Sequence, residues 1–185
     1  MRILPTLAAT LLIGFLALPA KAQDKPGKAF TIGDGKLTLT APANWTEKKP
    51  AINFIEAEFS IPPAQGDENA GRLTAMGAGG SVEDNVKRWA DQFSGDGGAA
   101  KPKVDKLTVS GTEIQLVDLS GTYADSPGGP FAGGKKVMRN NYRMLGAIIQ
   151  TKDKGNYFLK LYGPKATIDE NEKGFQEMVK SLKIK

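Results

Sequence analysis

Residues 144–182, MLGAIIQTKDKGNYFLKLYGPKATIDENEKGFQEMVKSL, hold the pattern that decides the fold. Met144 to Ile149 and Tyr157 to Tyr162 are apolar runs separated by the turn-forming Asp153-Lys154-Gly155-Asn156. Neither run alternates cleanly between apolar and polar side chains. Each therefore reads as a strand covered on both faces, and the short turn makes the pair an antiparallel hairpin at the centre of a sheet. The period then changes. Thr167 stands where a helix cap belongs, Glu170 follows at capping-box spacing, and Phe175, Met178, Val179 and Leu182 recur at helical spacing. A doubly covered hairpin running into a one-sided helix predicts a layered α+β domain.

The upstream chain supplies more strands and a second helix. Phe30 and Ile32, the turn Gly33-Asp34-Gly35, then Leu37 and Leu39 alternating with Thr38 and Thr40 predict a hairpin closed by Pro42. Ile55, Ala57, Phe59 and Ile61 alternate with Glu56, Glu58 and Ser60, as in a strand with one wet face, and Pro62-Pro63 ends it. Leu73 to Met76, Val104 to Val109 and Glu113 to Thr122 are further strands; the last has apolar residues of both parities, so both faces are covered or a bulge intervenes. Ser81 is expected to cap a helix through the amide of Asp84, with Val82, Val86, Trp89, Ala90 and Phe93 as its core stripe and Gly95 as its stop. Asp96 to Lys103 reads as a loop, and Trp45 as a wedge between the first hairpin and the next strand. Most connections are too short for crossovers. The expected fold is therefore a mainly antiparallel sheet flanked by helices, an α/β/α sandwich.

The chain opens on an address. Arg2 precedes an apolar run from Ile3 to Leu18, and Ala20-Lys21-Ala22 is a small-x-small cleavage site, the pattern of a secretory signal removed after Ala22. The expected division is 1–22 signal peptide, 23–29 flexible lead-in and 30–185 a single domain. Cleavage leaves 163 residues, enough for one core. The chain has no cysteine, so it forgoes disulfides, and Gln23 stands where a lipid-anchored protein would need cysteine. With no second long apolar run, the mature chain is expected to have no transmembrane segment and to be exported, periplasmic or secreted.

Composition also excludes chemistry. Without histidine the chain lacks the commonest general base, the usual nucleophile pairs and the usual zinc and copper ligands. No catalytic residue, metal site or cofactor is expected. Net charge is +5, falling to +3 without Arg2 and Lys21, which gives no mandate for nucleic acid. Asp118, Asp125 and Asp67-Glu68 form no calcium-loop pattern. A carboxylate-dependent enzyme and a carrier of a small apolar ligand remain as alternatives.

Gly129-Pro-Phe-Ala-Gly-Gly134-Lys135 formally fits a phosphate-binding loop. Its context does not, because Lys136 stands where Ser or Thr must hold magnesium and no helix pattern follows. The next segment is more informative. Lys135, Val137, Arg139, Asn141 and Arg143 share one strand face by parity, and Lys136 adds to the charge. This stripe of Lys135, Lys136, Arg139 and Arg143 could receive an acidic protein surface or anionic polymer, or could guard a sheet edge against aggregation.

The element order, Trp89 with Gln92-Phe93 closing the middle helix, and the close Tyr157-Phe158-Leu159, Gly163-Pro164 and Phe175-Gln176-Glu177-Met178-Val179-Lys180-Ser181-Leu182 resemble the PsbP/Mog1-like group over residues 30–183. That resemblance implies an antiparallel sheet between helices and the role of a non-catalytic adaptor. Histidine-based metal sites proposed for photosystem members have no counterpart here. The expectation is thus an exported, soluble binding or accessory module whose partner is a protein or an anionic surface in the extracytoplasmic space.

Overall fold

The computed structural model describes residues 27–95, 98–126, 135–153 and 155–185. The expected signal peptide, and residues 129–134 of the glycine-rich motif, lie outside the described residues. In chain order the elements are β1 (Lys28–Ile32), β2 (Leu37–Ala41), β3 (Thr46–Lys48), β4 (Ala57–Ile61), β5 (Gly71–Ala78), α1 (Val82–Ala90), β6 (Phe93–Gly95), β7 (Gly98–Ala99), β8 (Lys103–Val109), β9 (Thr112–Asp125), β10 (Val137–Gln150), β11 (Asn156–Pro164), α2 (Lys165–Lys180) and β12 (Lys183–Ile184).

Among the described residues nine strands form the main sheet, in the order β3-β4-β5-β11-β10-β9-β6-β7 with β8 also on β9. Every pairing is antiparallel. The hairpin of β10 and β11 lies at its centre, pairing Met144 with Tyr162 and Ile149 with Tyr157. Alternation along these strands makes two separate cores. Leu145, Ala147 and Ile149 with Leu159 and Leu161 face α2, whose Ile168, Phe175, Met178 and Val179 cover them. Met144, Ile148 and Phe158 face the other way, toward α1 and its Trp89. The fold is therefore α+β, a mainly antiparallel sheet between helices.

One layer is richer than expected. β1 and β2 join β12 in a separate three-stranded sheet, on the same side as α2. The C-terminal strand pairs Lys183 with Thr38 and Ile184 with Leu37, so the two ends of the domain are tied together. β1 also starts at Lys28 and so takes in the last residues of the expected lead-in. Trp45 fills the space between this small sheet and the main one, near the ring of Phe59, and its indole N–H donates to Asn171 Oδ1 of α2 at 2.8 Å.

Two helix boundaries differ from the sequence reading. Ser81 does cap α1, its hydroxyl accepting from the amide of Asp84 at 3.0 Å. The helix, however, ends at Ala90 rather than near Gly95, and Phe93 lies in β6, paired with Tyr123. Its aromatic ring gains a partner across the strands that helical continuation would forfeit. In α2, Thr167 is the third helical residue and not the cap. Asp67, remote in sequence, takes that role: its carboxylate accepts from the Thr167 amide at 3.0 Å and from its hydroxyl at 2.6 Å. The expected loop from Asp96 to Lys103 contains β7, and β8 begins at its last residue.

Candidate functional site

The cationic stripe is divided by a bulge. Along β10 the register pairs Arg139 with Tyr123 and then Tyr142 with Gly121, three steps on one strand against two on the other. Asn141 absorbs the extra residue in the left-handed region, at φ 55°, which asparagine adopts more readily than most side chains. An inserted residue reverses the alternation beyond it. Arg139 therefore lies on the α1 face and Arg143 on the α2 face, and the expectation that both share one face is corrected.

Arg143 is fully engaged. Its Nε and Nη2 donate to the two oxygens of Asp118 at 3.0 and 2.7 Å, and its Nη1 donates to Asp169 and Glu172 of α2, each at 2.8 Å. Its side chain is 11% exposed. The forked pair with Asp118 holds the guanidinium in the sheet while the helix carboxylates close over it, and the pairing raises its already high pKa. Arg143 thus ties α2 to the sheet rather than presenting charge outward. The three acids that converge here are all bound to one cation, which leaves none of them as an unpartnered acid or base.

At the other end of β10 the charges are more open. Arg139 reaches Asp125 across the ladder at 3.4 Å. Lys135 and Lys136 are exposed, and neither enters an ion pair among the described residues. Beside them Val137 and Met138 are exposed apolar side chains, Met138 at 56%. The end of the β9–β10 ribbon therefore combines cations with uncovered apolar surface.

On the α1 face, next to this ribbon end, three tyrosines form a cluster with a lysine packed against two of them. Tyr123 and Tyr142 stack at 6.0 Å, and Tyr162 lies 5.2 Å from Tyr123. The Lys160 ammonium sits 4.9 Å from the Tyr123 ring centroid and 4.7 Å from that of Tyr162, and it donates to Gln92 Oε1 and to the Tyr123 hydroxyl. Arg72 binds Glu58 through two N–H groups at 2.9 Å and donates a third to the Tyr162 hydroxyl at 3.0 Å. Loss of water and the nearby Arg72 charge pull the Lys160 pKa down to about 7, and burial pushes the Tyr123 and Tyr162 hydroxyls up. This cluster was not found in the sequence. A lysine between Leu159 and Leu161, in a strand read as covered on both faces, was the available signal.

Among the described residues no group of His, Cys, Asp or Glu is arranged to hold a metal ion. No helix among them is long and apolar enough to cross a membrane. An open trough of about 900 Å³ runs between β2 and α2, lined by Thr40, Asn44, Glu170, Lys173, Glu177 and Ser181 among others. Apolar side chains such as Ala41, Pro42 and Met178 also line it, so its walls are mixed, and it stands open to solvent rather than enclosing a cargo. Between sheet and helices the space is filled by side chains such as Phe59, Phe158 and Phe175.

No protein-family model matches the sequence, and no curated protein matches it. Solved structures do. The solution structure of cyanobacterial PsbP from Synechocystis sp. PCC 6803 is similar with a TM-score of 0.52 at 10% identity, over 93% of this chain and 100% of that one. The crystal structure of the Ran-binding protein Mog1p of Saccharomyces cerevisiae is similar at 12% identity with a TM-score of 0.48, over 85% of this chain and 95% of that one. At such identities the likeness is one of architecture, and the chain has the PsbP-like α+β fold that its sequence resemblance implied.

Proposed function

We propose that this chain is an exported, soluble, non-catalytic binding or accessory module that docks a partner protein through the end of its β9–β10 ribbon. The observation that carries the reading is the concentration of exposed cations, without an ion pair among the described residues, and exposed apolar side chains at Lys135, Lys136, Val137 and Met138, with Arg139 at the margin. The partly buried arginines, by contrast, are neutralised in place: Arg143 by three carboxylates, Arg72 by Glu58. Cations steer an acidic partner toward the site, and the apolar side chains supply surface to bury on contact. The convergence of Asp118, Asp169 and Glu172 on one guanidinium favours a structural use of these acids over acid–base catalysis.

The test is capture from an extracytoplasmic extract by mature wild-type protein and by the double variant Lys135→Glu, Lys136→Glu. The wild type should retain a discrete partner, the variant should lose it, and rising salt should mimic the variant. Equal retention by both proteins would move the docking surface elsewhere. For export, N-terminal sequencing of the extracytoplasmic protein should begin at Gln23; an intact Met1 would contradict cleavage after Ala22.

A further inference from the structure

β10 extends beyond the strand beside it. β11 accompanies it from Gln150 opposite Asn156 to Tyr142 opposite Pro164, and the chain then enters α2 at Lys165. From Val137 to Asn141, β10 keeps β9 on one side and has no strand on the other among the described residues. Among the described residues, the backbone groups directed away from β9 there have no strand partner and form a short half of a ladder.

We propose that this edge accepts one further strand from an acidic, extended peptide segment of a partner protein, laid in line with β11 beside Val137–Asn141. The inference rests on the ribbon end being the docking surface and names how it docks and with what chemistry. Main-chain hydrogen bonds would supply the register, and alternate side chains would face the two sides of the sheet. Charge selects the partner. Lys135 and Lys136 are exposed beside this edge, and the Arg139 side chain remains 34% exposed despite its long contact with Asp125. Aspartate or glutamate on the incoming strand would meet these cations at cross-strand distances, where opposite charges stabilise pairing and like charges oppose it. The same rule argues against a second copy of this chain as the occupant, because self-pairing of this edge would set the cations of one ribbon against those of the other. Val137 and Met138, exposed on opposite faces of the ribbon, would each be covered by an apolar residue of the added strand.

The experiment uses the mature protein and a labelled synthetic peptide of about eight residues, alternating Asp and Val, with blocked ends. Three further peptides accompany it: one with Lys in place of Asp, and two N-methylated on alternate amides so that one or the other edge cannot donate. Binding is followed by fluorescence anisotropy at low salt, and amide hydrogen exchange locates the contact. The Asp–Val peptide should bind and slow exchange at residues 137–141. Binding should fall at least about tenfold on Lys135→Glu with Lys136→Glu, on replacing Asp by Lys, and in one of the two N-methylated forms. Equal binding by both methylated forms and the parent would overturn strand addition, as would protection elsewhere or no binding. Equal binding of the lysine peptide would overturn the acidic partner. Failure here, with the extract partner still lost on Lys135 and Lys136 reversal, would leave the docking surface standing and remove only strand addition.

Discussion

Arg139 and Arg143, four positions apart on one strand, lie on opposite faces of the sheet because Asn141 inserts one residue between their registers. The two cations consequently have different uses. Arg143 is nearly buried among Asp118, Asp169 and Glu172, whereas Arg139 makes one long contact with Asp125. Arg143→Met should destabilise the protein by about 1 to 3 kcal/mol, since it leaves Asp118 and Glu172 without their cation and Asp169 with Lys165 alone, while water still reaches them. Arg139→Met should change stability by less than about 1 kcal/mol. Urea unfolding of the two variants checks the contrast, and equal losses would contradict the division of the stripe.

Trp89 lies over Gly146 so closely that a Cβ there would overlap the indole. This contact seats α1 on the sheet, and Trp89 is 3% exposed. Trp89→Ala should cost about 3 to 5 kcal/mol through lost burial and a cavity. Gly146→Ala should also destabilise, by about 1 to 3 kcal/mol of overpacking. A smaller ring in the double variant Trp89→Phe, Gly146→Ala should recover part of that loss. Strict additivity would mean that the two sites are not in contact.

Asp67 caps α2 from a loop about a hundred residues away in sequence. Asp67→Ala should lower stability by about 1 to 2 kcal/mol, as loss of a helix cap does, and should expose the first turn of α2 to amide exchange. Thr167→Val, which keeps the shape but removes the hydroxyl between Asp67 and the Ala64 amide, should also destabilise. An unchanged midpoint in both variants would remove this cap from the account.

Lys160 gives a dependence on pH with a definite sign. Its folded pKa is drawn down to about 7, chiefly by burial, against roughly 10.4 in an unfolded chain. Between those values the unfolded chain binds a proton that the native state lacks, so this group makes stability rise with pH, by at most about 1.4 kcal/mol per pH unit. Below about 7 its destabilising contribution is complete; above about 10 it vanishes. Lys160→Met keeps the stem and removes the amine. The stability difference should therefore shift toward the wild type as pH rises from about 7 to about 10, and a constant difference would place the ammonium in water.

Much of this architecture was legible in the chain, and the exceptions have local causes. The central hairpin, both helices and their core faces followed from periodicity, with Phe175 and Trp89 buried as their stripes required. What failed was set by partners remote in sequence. Phe93 left the helix to pair with Tyr123, Asp67 displaced Thr167 as the cap, and β12 formed only because β2 offered an edge. Parity along β10 failed for a nearer reason. One residue at Asn140-Asn141 reverses every side chain beyond it, and no apolar alternation spans that point to show the slip. The tyrosine cluster was illegible because β9, β10 and β11 each contribute one ring.

Site-specific photocrosslinking tests the docking surface most directly. A photoreactive residue would be placed singly at Lys136, at Met138, at Glu47 on β3 and at Lys106 on β8, and each full-length chain would be expressed in its own host. The account predicts one crosslinked product, of the same mass, from positions 136 and 138 and none from 47 or 106. A product from Glu47 or Lys106, with positions 136 and 138 silent, would contradict it and place the partner on another edge of the sheet.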